Sequence, residues 1–365
     1  MAWTCLAVRD CSYIQYCKYL PVKQCAPDGI NQTTERSSCA AYNRHVNPGD
    51  ALPLLRLLAD GRFHSGDALA TALGLSRATV CQRMDHLEAL GIVCHRIRGR
   101  GYQLPAPLDL LDPDALRVAL ADARVTLECL PQVASTNTEL LARADALASG
   151  HVLVTEWQTG GRGRQGRHWL APPGQGLTFS LLWRFAGGVG ALAGLSLAIG
   201  VALARACREC GVDGVQVKWP NDLLLHGRKL AGVLVEVQGD MLGPSVAVIG
   251  VGLNVHAAPA LDEGQSAAAL GEAAGRALSR NDVLCALIRQ MTVALRAFEM
   301  QGFASFRNDW RDLHAWQGQL VEVIRPDAGR QSGIALDIDD SGALLIEGPT
   351  GVSRVLSGDV SLRPA

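Results

Sequence analysis

Glycine and arginine alternate over Gly161-Arg162-Gly163-Arg164-Gln165-Gly166, and this limits what the middle of the chain can become. The run has no apolar period for a helix or a strand. It reads as a loop lying against a ligand, because glycine lets the backbone approach closely and turn its N–H groups inward. Planar guanidinium groups grip phosphate oxygens in a forked geometry. Roughly fifty residues on, Lys218-Trp219-Pro220-Asn221-Asp222 closes a strand with a Pro-Asn-Asp turn and sets a lysine beside a carboxylate. Arginines to hold phosphates, lysines to polarise them and a carboxylate to bring Mg²⁺ are the parts that activate a carboxylic acid with ATP.

The 365 residues are enough for two or three domains with ordinary cores. A formal net charge of −1 rules out general attraction to polyanions, so any nucleic-acid binding needs a local basic patch. No apolar run is expected to reach the roughly 18 residues of a membrane span. Arg9, Asp10 and Lys18 interrupt any signal-peptide core, so the expected location is the cytoplasm, with no membrane partner. Cys5, Cys11, Cys17, Cys25 and Cys39 crowd the first forty residues. The pair Cys207-Arg208-Glu209-Cys210 has no second pair or histidines nearby, so it reads as reduced helix cysteines rather than a metal site. Residues 1–46 show no period. They read as a disordered extension or, preferably, as sequence ahead of a misplaced start, with initiation near Val46.

Residues 47–106 read as a winged helix-turn-helix. Leu52, Leu54, Leu55, Leu57 and Leu58 supply a first helix that stops at Gly61. Ser65 caps a second, with Leu69 and Leu73 inward and Gly74 turning the chain. Ser76 caps a third, in which Val80, Met84 and Leu87 face the core while Arg77, Gln82, Arg83 and His86 point outward. Residues 92–97, the Gly99-Arg100-Gly101 turn and residues 102–104 make a hairpin. Five arginines (77, 83, 96, 98, 100) stand against Asp85 and Glu88, a footprint for phosphate contacts. Arg77, Gln82, Arg83, His86, Arg98 and Arg100 are the candidate DNA contacts. A solvated arginine face or a protein-binding winged helix would look similar.

Pro105-Ala106-Pro107 begins a linker, and Asp112-Pro113-Asp114 caps a short helix. Strands are predicted at 125–129, 152–156, 177–183, 215–219, 232–237 and 246–251, with helices at 136–148, 191–210 and 281–300. The chain is therefore α+β and multidomain, with a central mixed sheet (107–315) covered on one side. Short strands at 320–324, 333–338, 344–347 and 354–356 suggest a small SH3-like β-barrel over 316–365.

Together with Gly227-Arg228-Lys229-Leu230-Ala231-Gly232 and Gly250-Val251-Gly252-Leu253-Asn254, the two motifs resemble those of bacterial biotin–protein ligases. From about Asn47 onward the chain resembles the subgroup that also represses the biotin operon. The resemblance implies a ligase domain that joins biotin to AMP and then to a biotin carboxyl carrier protein, with ATP and Mg²⁺ as cofactors and biotin as substrate. It also implies operator DNA of biotin genes as a partner and a ligand-promoted homodimer. Carried over to this chain, Lys229 and Arg164 are catalytic. Ser135, Thr136, Asn137, Gln158, Arg162, Gly163, Arg164 and Lys229 bind biotin. Arg164, Trp169, Lys218, Asn221, Asp222, Asn254 and Arg363 face the nucleotide, with Asp222 on the Mg²⁺ side.

Thr136 and Glu139 also suit a capping box. The glycine loop is expected to stay mobile until a phosphate organises it. One departure stands out: residues 255–273, where relatives often carry an aromatic side chain over adenine, contain no Phe, Tyr or Trp. A regulator that senses biotinyl-adenylate without catalysis, and a lipoate-type ligase, remain alternatives. The second would not need the polar set around Thr136 and Gln158.

Overall fold

Leucine spacing and serine caps build the first elements. The computed structural model describes residues 48–89, 91–259, 266–325, 329–356 and 361–364. The readings made for residues 1–46 lie outside the described residues. The chain divides into two units after Leu108.

In the first unit, α1 (Leu52–Leu58) buries Leu52, Leu54, Leu55 and Leu58. Ser65 Oγ accepts the amide of Ala68 at 3.0 Å to start α2 (Gly66–Leu73), and Gly74 ends it at φ +63°. Ser76 Oγ accepts the amide of Thr79 at 3.1 Å to start α3 (Arg77–Ala89), which buries Val80, Met84 and Leu87. β1 (His95–Ile97) and β2 (Gly101–Gln103) form an antiparallel hairpin, and Tyr102 also bridges to His64. The hairpin is shorter than predicted because Ile92 donates its amide to Leu87, finishing α3 instead of opening a strand.

The second unit begins with α4 (Pro113–Ala119), capped by Asp112. Its strands are β3 (Thr126–Val133), β4 (His151–Gln158), β5 (Gly176–Phe185), β6 (Val215–Lys218), β7 (Asp222–Leu225), β8 (Arg228–Gly239) and β9 (Ser245–Asn254). They join in the order β3-β4-β5-β9-β8-β7-β6, parallel between β3 and β4 and antiparallel elsewhere.

Alternation divides the two faces of this sheet. Leu177, Phe179, Leu181, Trp183 and Phe185 of β5, with Ala247, Ile249, Val251 and Leu253 of β9, pack into the main core. That core includes α6 (Leu195–Glu209) and α7 (Arg280–Gln301). On the other face Leu182 and Val248 meet Leu140 and Ala144, from α5 (Thr136–Ala142) and the turn after it. Beyond them Ser180, Gly250 and Gly252 are small and leave the middle of that face open.

Two helices are shorter than predicted. The pattern at 136–148 breaks after Ala142 into a 3-10 turn at Ala144–Ala146. The pattern at 191–210 is interrupted at Gly194, whose φ of +81° separates a 3-10 turn from α6. Taken together, Val189–Glu209 does meet the length and apolarity of a membrane span, contrary to the sequence reading. Its helical part, α6, packs into the core of the second unit, burying Leu195, Leu197, Ile199, Val201 and Leu203. Cys207 and Cys210 belong to that helix core. Burial pushes the Cys207 thiol up to about 12 and raises Cys210 too, so both are inert packing groups.

β10 (Leu320–Arg325), β11 (Gly329–Ile338), β12 (Leu344–Gly348), β13 (Gly351–Val355) and β14 (Ser361–Pro364) form an antiparallel sheet in the order β13-β12-β11-β10-β14. Among the described residues the pairings leave β13 and β14 as edges; they form a five-stranded sheet. Val321, Val323, Ala335, Ile338 and Leu344 join the same core as the central sheet.

His314, after α8 (Arg307–Leu313), stacks on Trp310 at 4.5 Å and bridges to Val217 of β6. Burial holds its imidazole down at about 4, although Asp337 pulls the other way. The folded state therefore keeps His314 neutral where an unfolded chain would take up a proton. Stability is full above pH 6.5 and falls as the pH drops toward 4, by on the order of 3 kcal/mol in all. In denaturant titrations between pH 7 and pH 4, His314→Gln should flatten this loss. An unchanged pH slope would exclude His314 as its source.

Candidate functional site

The face left open by Ser180, Gly250 and Gly252 is where the predicted polar residues gather. Ser180 pairs with Gly250 across the β5–β9 ladder, and Gly252 pairs with Gly232 across β8–β9. A Cβ at position 250 would collide with the Asn137 amide, and one at 252 with the Trp169 indole. Both glycines of the Gly-Val-Gly run are thus needed for close approach from one side of the sheet.

Ser135, not Thr136, caps α5, with Oγ accepting the Thr138 amide; Glu139 pairs with Arg143 at 3.3 Å instead of closing a capping box. Thr136 and Asn137 are freed to turn inward. Gln158 Oε1 accepts from the Thr136 amide at 2.7 Å and from its hydroxyl at 3.1 Å. Ser180 Oγ lies 2.7 Å from Thr136 Oγ1 and 2.5 Å from Asn137 Oδ1, its single proton shared between the two acceptors. Asn137 Nδ2 donates to Glu236 at 2.8 Å, and Arg162 donates to Glu236 at 3.2 Å and to Thr138 Oγ1 at 3.0 Å. The result is one polar network, neutral at Thr136, Asn137, Gln158 and Ser180 and closed at one end by the Arg162–Glu236 ion pair, suited to a heterocycle with several donors and acceptors.

The cations lie beyond Gly232. Lys229 Nζ is 2.9 Å from Asp222 Oδ1 and 5.9 Å from the Trp169 ring. Lys218 Nζ is 3.8 Å from the other Asp222 oxygen and 5.4 Å from the Trp316 ring. Burial lowers the Lys218 pKa; Asp222 opposes this, while Lys229, Arg363 and Arg167 push the same way. Arg363, half-buried on β14, thereby brings the C-terminal sheet within electrical reach of the site. Asn221 accepts from Arg164 at 3.2 Å and donates to the Val233 carbonyl at 2.9 Å, fixing the turn after the cis Trp219–Pro220 bond. Asn254 is buried, with Nδ2 held by the Ala268 carbonyl at 3.1 Å and the Lys229 carbonyl at 3.4 Å. It braces the strand that carries Lys229, and with Lys229 and Trp169 it lines a small pocket beside the lysines. Among the described residues no group of three His, Cys, Asp or Glu could hold a metal ion; Asp222 stands alone among the lysines.

The glycine–arginine loop is folded on itself. The Trp169 amide donates to Gly161 at 2.9 Å and the Gly163 amide to Arg167 at 2.7 Å, around Gln165 and Gly166 at φ +57° and +67°. It forms one wall of a cleft of about 590 Å³, with Gly194–Leu197, Leu234–Val237 and Ser341–Gly342 opposite. The aromatic-free stretch 255–273 falls partly outside the described residues.

In the first unit Arg77, Gln82, Arg98 and Arg100 are exposed, whereas Arg83 and His86 are half-buried. Arg100 stacks over Phe63 at 4.3 Å. Arg96 is committed: its guanidinium meets Asp85 at 2.6 Å and Glu88 at 2.8 Å, which latches the hairpin to α3, while Asp67 pairs with Arg77 at 3.3 Å. Sequence reading missed Ser180, Glu236, Thr138 and Trp316. Polar Thr178 and Ser180 at alternate positions of an otherwise apolar strand were the available signal for the first.

Comparison with known proteins places each part. Residues 129–254 match the biotin/lipoate A/B protein ligase family, 318–363 the biotin protein ligase C-terminal domain, and 52–103 an HTH domain. The bifunctional ligase/repressor BirA of Salmonella typhimurium is 40% identical over 316 residues, covering 86% of this chain and 98% of the relative. BirA of Escherichia coli K12 is 40% identical over 317 residues, covering 86% and 97%. The biotin protein ligase of Aquifex aeolicus, solved in complex with biotin and ATP, superimposes with a TM-score of 0.56 at 29% identity, covering 66% of this chain and 99% of that one.

Proposed function

Since this chain belongs to the family of bifunctional biotin–protein ligases and repressors, we propose that it uses ATP to join biotin to AMP with release of pyrophosphate, passes the biotinyl group to a lysine of a biotin carboxyl carrier protein, and represses biotin genes through its helix-turn-helix module. The observation that carries the ligase reading is the adjacency on one glycine-lined sheet face of the Thr136–Gln158–Asn137 network and the Lys229–Asp222–Lys218 cluster. A bare acyl chain would offer this polar network nothing to hydrogen-bond, which disfavours lipoate.

The network would hold biotin's ring, aided by Ser135, Arg162 and Gly163. The biotin carboxylate then attacks the α-phosphorus of ATP, a P–O bond forms, and pyrophosphate leaves. In the second step the carrier lysine's amine attacks the acyl carbon and AMP departs. Both steps place negative charge on phosphate oxygens, so fixed cations are the main requirement. A cation 4 Å from such an oxygen contributes roughly 4 kcal/mol at an effective dielectric near 20. Lys229 and Arg164 take this role in our reading, with Lys218, Asn221, Trp169 and Arg363 lining the nucleotide side. Mg²⁺ would arrive with the triphosphate, keep most of its waters and take Asp222 as its protein carboxylate, neutralising phosphate charge when bound. Incubating the protein with radiolabelled ATP plus biotin or lipoate tests this. Biotinyl-AMP is expected, and lipoyl-AMP alone would overturn it.

We divide the chain into a winged-helix module at 47–106, a ligase domain at 107–315 and a C-terminal domain at 316–365. Work on ATP and promoter DNA suits the cytoplasm. A homodimer is supported by the edge of β8: among the described residues β7 pairs only with Arg228–Gly232 and Asn221 takes up Val233, leaving β8 beyond it without a strand partner on that side. At the tip of the β8–β9 hairpin Met241 and Leu242 are 70% and 94% exposed. Two modules held by such a dimer would bind DNA far more tightly than one. Arg83→Ala and Arg98→Ala should each lower the salt slope of DNA binding by about 1.8 for the dimer, one phosphate contact of about 0.9 being lost in each module, with ligation unchanged. Arg96→Ala should weaken binding with the slope unchanged, because that arginine holds the hairpin. Fluorescence anisotropy across a salt series separates the two, and an unchanged slope for Arg98→Ala would remove it from the interface.

A further inference from the structure

A second charged cluster lies away from the lysines, deep in the second unit. Arg280 and Glu156 are 3.0 Å apart with side chains only 1% and 4% exposed. The Arg280 guanidinium also donates to the Gly176 carbonyl at 2.9 Å and the Asp109 carbonyl at 2.6 Å, and its backbone amide donates to the Asp109 carboxylate at 2.5 Å. Glu156 accepts from the amides of Leu111 at 2.5 Å and Gly174 at 3.4 Å. The neighbouring Asn281 accepts from the Asp112 amide at 2.9 Å and donates to the Leu110 carbonyl at 3.2 Å. Four segments therefore meet at one buried ion pair.

One of them is the tether: the chain leaves the first unit at Leu108, and residues 109–112 are stapled here. The others lead to the ligand face. Glu156 stands two residues before Gln158 on β4. Gln175 accepts from the amides of Val255 at 3.1 Å and His256 at 2.8 Å, directly after Asn254. His256 Nε2 returns to the Asp109 carboxylate at 3.0 Å, closing the circuit.

We propose that the Arg280–Glu156 pair, with the Asp109 carboxylate, is the joint through which occupancy of the ligand pocket reaches the tether of the DNA-binding module. The proposal rests on the repressor reading above. Separating the pair would strand a charge in the interior, so the four segments shift as one body rather than independently. A ligand that draws in Gln158 or the Asn254 end of β9 thereby loads Asp109. A role in stability alone would not require the tether and both ligand-side segments to share one guanidinium.

The full-length protein tests this, with affinity for its own biotin-gene promoter measured with and without biotin plus ATP, alongside the rate of adenylate formation. Asp109→Ala keeps the backbone carbonyl that Arg280 grips and removes only the carboxylate. It should form adenylate within about twofold of wild type while losing roughly tenfold of the ligand-induced tightening, inside the usual range of coupling between sites. His256→Ala should behave alike. Amide exchange at Leu111 should slow on ligand binding in wild type and much less in Asp109→Ala. Full tightening in Asp109→Ala overturns the joint alone, and so does a tenfold loss of adenylation. Absence of tightening in wild type overturns the repressor reading, and the joint with it.

Discussion

Lys229→Ala is expected to leave the fold intact and to slow formation of biotinyl-AMP by about 10²–10³, the usual loss for a removed charge-stabilising donor. The ammonium sits at the start of β8, 24% exposed, and its close charged partner is Asp222. Its removal leaves Asp222 with Lys218 alone at 3.8 Å, an under-neutralised carboxylate facing two incoming anions. Both the capture of substrate and the barrier should therefore suffer. Lys229→Arg should recover part of the loss by keeping the charge. Rapid-quench counting of adenylate decides it, and a near-wild-type rate would take Lys229 out of the mechanism.

Trp219→Ala is expected to cost about 3–5 kcal/mol of stability, the range for emptying a fully buried aromatic position. The ring is 0% exposed, and its Nε1 donates to the Gly342 carbonyl at 3.1 Å. It thus fills the space between the central sheet and the β11–β12 turn. Lys218 and Asn221, which flank it, face the nucleotide side in our reading, so the KM for ATP should rise as well. Trp219→Phe keeps most of the volume and strands one carbonyl, a loss of about 1–3 kcal/mol. Urea midpoints measure both. A loss below 1 kcal/mol for the alanine variant would mean that the C-terminal sheet docks without this tryptophan.

The helices of the first unit were legible because period and cap agree: leucines recur, and Ser65, Ser76 and Gly74 mark the ends. Where one signal stood alone the reading failed. The 136–148 pattern kept its apolar period past the point where the backbone tightens into a 3-10 turn, and Thr136 offered a plausible capping box although Ser135 is the cap. The arginine count at the DNA face was right as arithmetic, yet Arg96 spends its charge on Asp85 and Glu88. The apolar stretch at Val189–Glu209 was underestimated because its small residues read as weakly hydrophobic one by one.

The sequence by itself determined the chemistry, since glycine–arginine alternation, Lys218 to Asp222 and Gly227 to Gly232 are local statements about which groups a short stretch can present. It also determined the two periods, 3.6 for helices and 2 for strands, that divide each element into a buried and an open face. Only the tertiary structure decided which open faces meet. That Gly250 makes room for Asn137 and Gly252 for Trp169 depends on the register of β9 between β5 and β8, which sets Ser180 against Gly250 and Gly232 against Gly252. Glu156 and Arg280 are separated by 124 positions and become a pair only when β4 and α7 pack. A buried charge needs its partner's exact place, and long-range packing, unlike a cap or a turn, leaves no mark on the neighbouring residues.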